Sequence, residues 1–231
     1  MPLASHRARY LLIAFLLTWL GLMLFTRPAH GGWSADPVEV HATTALCPRV
    51  SVCADGAGGS IVIWQEATAG GGLLKARRLL ASGDLDPAWP AAAAVSTRDI
   101  ARTALGSVGD DAGGAYIWWS EGTQLLLTRV TPGGAVASGW GAQGRSLGML
   151  ATDRHRPIAV PDGTGGVYVG WLAADVFAQP IRCFARVVHL GPDAAGAGGW
   201  PAGGRVLGTA MGANPTVFAF GMDRAGDGGL W

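Results

Sequence analysis

Charge is scarce in this chain. Acidic and basic residues make up 14% of its 231 positions, and 17 Lys and Arg against 16 Asp and Glu leave a net charge of +1. That balance excludes the basic stripe by which nucleic acids are held, so no nucleic-acid partner is expected. Beside a hydrophobic fraction of 49% it also excludes charge-rich disorder, because there is ample apolar side chain to bury. Cysteine is scarce too: Cys47, Cys53 and Cys183 are an odd number, too few for a disulfide scaffold. Cys47 and Cys53 can pair only if the Cys47-Pro48 segment turns back, and the alternative is three buried thiols. No CxxC or Cys/His spacing points to a metal, and no cofactor is expected. Helical periodicity is missing after residue 31, which excludes bundles and coiled coils.

One long uncharged run stands apart. His6, Arg7 and Arg9 precede the 16 apolar residues Tyr10–Phe25, and the small residues Ala29, Gly31 and Gly32 follow. A membrane-spanning helix usually needs about 20 such residues, so residues 1–31 read as a secretory signal, with retention as an N-terminal anchor the alternative. The expected location is secreted, periplasmic or cell-surface, with membrane contact only through that segment.

What is abundant is glycine, 37 residues, with 13 prolines and 10 tryptophans. They recur with a period, and a period of tens of residues decides the reading of a whole chain. The unit Asp55-Gly56-Ala57-Gly58-Gly59, ending at Trp64, returns as Asp110 to Trp119 and Asp162 to Trp171. A fourth copy begins at Asp223-Arg224-Ala225-Gly226 and stops at Trp231. A second unit, Trp followed by a Gly/Pro-rich turn and an aliphatic residue, occurs at Trp140-Gly141 to Leu147 and Trp200-Pro201 to Leu207, more weakly at Trp89-Pro90, and in phase at Trp33. The two alternate, and seven of the ten tryptophans fall in this register.

Each period predicts four strands. Runs such as Pro48–Cys53, Thr103–Gly109 and Pro157–Val160 precede the Asp-Gly turn, and Ile61–Trp64 or Val167–Trp171 follow it. The turn is therefore a hairpin whose glycines supply positive φ and whose Asp caps the backbone. A third run carries Arg78, Arg129 or Arg186, and a fourth follows the Trp turn at Ser146-Leu147 or Val206-Leu207. Evenly spaced strands with repeated glycine and aromatic signals predict an all-β β-propeller of four-stranded blades. These repeats resemble those of exported bacterial β-propeller proteins with blades of about fifty residues. The resemblance implies a propeller domain over residues 32–231, with three full blades, part of a fourth, and a C-terminal truncation. It implies that Trp33–Val40 is the outermost strand of the last blade in a longer chain. The spacing departs from the sialidase Asp-box, so no sialidase activity follows.

Motif matches give way to the repeat. Gly144-Arg145-Ser146-Leu147-Gly148 has the form of a hydrolase nucleophile elbow, but Ser146 aligns with Val206 and no helix follows. Gly139-Trp140-Gly141-Ala142-Gln143-Gly144 has the dinucleotide form without a βαβ setting, and Pro201 replaces its second glycine in the next copy. Asp55, Asp110, Asp162 and Asp223 offer one carboxylate per turn, or two at Asp110-Asp111, against the 6–8 oxygens that calcium takes, so they read as turn caps. Asp84 and Asp86 are a weaker cation candidate. Trp118, on one strand face with Tyr116, could stack on a sugar, but burial between sheets is the preferred reading. His41, His155 and His189 fall at unrelated phases without a recognisable partner and take no acid–base role.

No catalytic, cofactor or metal residue is therefore assigned. The expected function is an exported, non-catalytic binding or scaffold module whose partner is a glycan, a peptide or a surface protein. The alternatives are a propeller enzyme acting on polysaccharide as hydrolase or lyase, and a non-functional fragment of a longer propeller protein.

Overall fold

The computed structural model describes residues 36–211, apart from 100, 103, 153–155, 176, 179–181 and 202, together with 221–223 and 225. Twelve strands are formed: β1 Arg49–Ala54, β2 Ser60–Glu66, β3 Leu73–Leu79, β4 Ala93–Ser96, β5 Ala104–Gly109, β6 Ala115–Glu121, β7 Gln124–Val130, β8 Arg145–Met149, β9 Ile158–Pro161, β10 Val167–Asp175, β11 Arg182–Leu190 and β12 Arg205–Met211. They make three antiparallel four-stranded sheets in chain order, β1–β4, β5–β8 and β9–β12, and the described residues contain no helix. The expected all-β class and four strands per period hold. The runs before the Asp-Gly turn became β1, β5 and β9, and the runs after the Trp turns became β8 and β12.

Alternation of side chains builds the core. On β2 and β3, Ile61, Ile63, Leu74 and Ala76 are buried with Ala115, Ile117, Trp119 and Leu126 of the second sheet. The opposite face of that second sheet sends Tyr116, Trp118, Leu125 and Leu127 against Val167, Val169, Trp171 and Val188 of the third. A strand buried on both faces is apolar almost without interruption, which is why β6 reads AYIWWSE, apolar through Trp119 and buried through Ser120. Each sheet thus shares one layer with the next.

Edges and turns fasten the layers. Trp89, after β3, donates from Nε1 to the Pro132 carbonyl at 2.5 Å, and Trp140, after β7, does so to Pro192 at 2.8 Å. Both acceptors lie in the turn that follows the third strand of the next sheet. The first strands touch as well: Ser51 Oγ on β1 and Ser107 Oγ on β5 are 2.8 Å apart, and β5 also contacts β9.

The first sheet differs on its far side. Val50 and Val52 are each 57% exposed and Leu46 is 79% exposed, whereas the matching face of the second sheet, at Leu105 and Trp119, is packed on the first. Residues 36–45 carry no strand, and Val40 accepts a hydrogen bond from Arg77 Nη1 of β3. Trp33, the run Tyr10–Phe25 and Trp231 lie outside the described residues. No helix among the described residues is long and apolar enough to cross a membrane.

Candidate functional site at the first strands

The three Asp-Gly hairpins are built alike. Asp55 Oδ1 accepts the Ala57 and Gly59 amides at 2.8 Å each, Asp110 Oδ1 those of Ala112 and Gly114, and Asp162 Oδ1 those of Thr164 and Gly166. The left-handed positions are Gly56 and Gly58, Asp111 and Gly113, and Gly163 and Gly165. Only glycine adopts these at no steric cost, and aspartate is among the residues that tolerate them. The capping role expected for Asp55, Asp110 and Asp162 is what their oxygens perform. Asp223 lies at a copy that is mostly outside the described residues.

The second carboxylate oxygen is used differently. Arg78 Nη2 approaches Asp55 Oδ2 at 2.7 Å, and Arg129 Nη2 approaches Asp110 Oδ2 at 2.6 Å. In the third sheet the partner is His189, whose Nε2 lies 2.8 Å from Asp162 Oδ2. Two expectations are corrected here. Arg186 sits opposite Trp171 on β10, whereas Arg78 and Arg129 sit opposite Ile61 and Tyr116, and the residue at their register position, opposite Tyr168, is His189. His189 therefore has a partner, stacks on Tyr168 with centroids 4.0 Å apart, and occupies the register position that arginine holds in the first two sheets. His41 is also paired, to Glu66 at 3.0 Å, and His155 lies outside the described residues.

Burial pushes the Asp55 and Asp162 carboxyls up, but the opposing hydrogen bonds win and hold both below the ordinary aspartate value. For Asp55 those bonds come from the Ala57 and Gly59 amides and Arg78. For Asp162 they come from His189, Thr164 and Gly166. Burial likewise raises the Cys53 thiol to about 11, which leaves it protonated and inert. All three cysteines are free, but they are not all buried: Cys47 is exposed, Cys53 is partly covered, and Cys183 is buried. The Cys47–Cys53 bridge is not formed.

Other candidates resolve into structure. Ser146 is an exposed residue of β8 opposite Leu126, and its Oγ is 3.2 Å from Gln124 Nε2. Asp86 faces Arg78 Nη1 at 3.6 Å and caps the Ala88 amide, while Asp84 takes the Ser82 hydroxyl. Among the described residues no three His, Cys, Asp or Glu side chains gather as a metal cluster.

One concavity draws on the first two sheets and on the segment that enters the third. A cavity of about 360 Å³ is lined by Pro48, Arg49 and Val50 at the start of β1, Leu105 and Trp118 on β5 and β6, and Arg156 just before β9. Trp118 is 7% exposed, so the expected burial holds, yet the uncovered part of its indole faces this cavity. Gly106, directly opposite it on β5, makes this placement possible, since a Cβ there would collide with the indole. Arg49 is held by a 2.6 Å bond from Nε to the Arg102 carbonyl, and Arg156 is exposed. Every charged group in the lining is thus a guanidinium, which stays protonated and can neither give nor take a proton at ordinary pH. Sequence reasoning singled out Trp118 but neither arginine, because residues 49, 118 and 156 meet only once the first strands converge. Comparison with protein families and with characterised proteins finds no match for this chain.

Proposed function

We propose that this protein is an exported, non-catalytic binding module built on β-propeller blades, with its ligand site at the mouth formed by the first strands. The observation that supports it best is the cavity beside Trp118, to which the first two sheets and the segment leading into the third contribute. The three sheets are similar in strand order and capped hairpin, the first and second are each fastened to the next by a tryptophan, and they pack face to face with their first strands adjacent. That is how propeller blades are arranged around an axis. Ligand sites favour such concavities, where an apolar wall and a few convergent polar groups meet. An indole and two guanidinium groups offer recognition, not proton transfer, so binding is preferred over hydrolysis or elimination.

Export rests on the N-terminal signal pattern, and fusion of residues 1–40 to a reporter should carry it across the cytoplasmic membrane. Binding is tested by probing glycan and peptide arrays with the full chain. The expected result is retention on a defined subset that is lost in Trp118→Ala, with the variant's melting profile recorded alongside. Turnover of polysaccharide or ester substrates by the purified chain would reverse the preference in favour of an enzyme.

A further inference from the structure

From the composition of this cavity we infer that its ligand is an acidic saccharide, a sugar ring carrying a carboxylate, and this rests on the binding reading above. Among the described residues Arg78 is paired with Asp55, Arg98 with Glu121, Arg129 with Asp110 and Lys75 with Glu66. Arg49 and Arg156, like several other described arginines, have no carboxylate partner among these residues, but these two are set apart by facing one and the same cavity. Arg49 uses only its Nε, on the Arg102 carbonyl, which fixes the guanidinium plane and leaves its terminal nitrogens free of recorded bonds. Two cations placed together without a counter-charge repel one another, and an anion between them removes that repulsion. Guanidinium groups suit carboxylates in particular, because two parallel N–H donors match two oxygens.

The remaining lining selects what carries the anion. Trp118 presents part of an indole, and Pro48, Val50 and Leu105 are apolar. A sugar ring has apolar C–H groups that pack on such a wall, of which Trp118, 7% exposed, offers a small part, with hydroxyls around its rim that remain in water. The volume, about 360 Å³, is at the small end for ligand sites, which suits one or two sugar rings and not an extended peptide. A bare inorganic anion would use the arginines and leave the indole without a role.

The test is calorimetric titration of the full chain with digalacturonate, with digalactose as the neutral counterpart, and with inorganic phosphate. Digalacturonate should bind, the neutral disaccharide should bind at least about tenfold more weakly, and raising salt should weaken only the acidic ligand. Arg156→Ala removes an exposed side chain without recorded bonds and should lower digalacturonate affinity about tenfold with an unchanged melting temperature. Trp118→Phe, which keeps the core volume largely filled, should weaken both sugars. Equal affinity for the acidic and neutral disaccharides, with no effect of Arg156→Ala, would overturn the inference while leaving a neutral-glycan binder in place. Phosphate binding as tightly as digalacturonate, untouched by Trp118→Phe, would overturn the saccharide part. Absence of binding by all three probes would overturn the inference outright, and the array experiment would then decide the binding reading separately.

Discussion

At the residue scale, the aspartate of each hairpin carries more than its turn. One oxygen holds two amides and the other faces Arg78, Arg129 or His189 on the third strand, so a single side chain fixes the hairpin and ties three strands. Asp55 and Asp162 are held below the ordinary aspartate value of 3.8 in the folded chain. The folded state therefore binds fewer protons than the unfolded state across that window, and stability rises with pH there. Their contribution is complete above the ordinary aspartate range and is lost as pH falls through the lowered folded values. Denaturant melts from pH 6 down to about 2 should show this loss, and Asp55→Asn should flatten the slope. An unchanged slope in that variant would remove Asp55 from the account. Gly165, at φ 95°, gives a second residue-scale expectation: Gly165→Val forces a branched side chain into the left-handed region and should cost about 1 kcal/mol or more in the same melts.

At the scale of the strand and turn, the link between sheets is the tryptophan that reaches into the next sheet's third turn. Trp140 is 2% exposed and its Nε1 bonds to the Pro192 carbonyl. Trp140→Phe keeps most of the packing and removes that donor, so it should cost about 1 kcal/mol, read as a shift in the denaturation midpoint with an unchanged slope. These elements were legible in the sequence because they are local: the Asp, its glycines and the following Trp lie within ten residues, and a period of such signals makes a hairpin hard to mistake. Register was less legible. Arg186 looked equivalent to Arg78 and Arg129 by composition, but β11 runs nine residues and the equivalent place falls on His189. Only the pairing opposite Tyr168 reveals that a histidine has taken an arginine's position. The turn after each third strand also repeats, with Gly83, Gly134 and Ala194 all at positive φ. It is not legible in the sequence because Ala194 breaks the glycine pattern.

At the scale of the whole molecule, each sheet covers one face of its neighbour, and among the described residues the first sheet is packed by another sheet on one face only. Val50 and Val52 stand in water there, where the corresponding face of the second sheet is packed. Contiguous exposed apolar residues favour association. Light scattering of the full chain should therefore show concentration-dependent association, and Val52→Lys should reduce it without lowering the melting temperature. A monodisperse wild-type monomer would show that this face needs no cover. The cavity belongs to this scale too, and no local pattern could have announced it: Arg49, Trp118 and Arg156 come from two sheets and the approach to the third, across more than one hundred positions.

The central claim, that ligands are held where the first strands converge, can be tested at one side chain. Fluorine NMR of the full chain labelled with 5-fluorotryptophan, with Trp118 assigned by Trp118→Phe, reports each indole separately. Adding digalacturonate should shift the Trp118 resonance while the fully buried Trp119 and Trp171 stay in place. A spectrum in which Trp118 does not move while other tryptophans do would place the ligand elsewhere and contradict the claim.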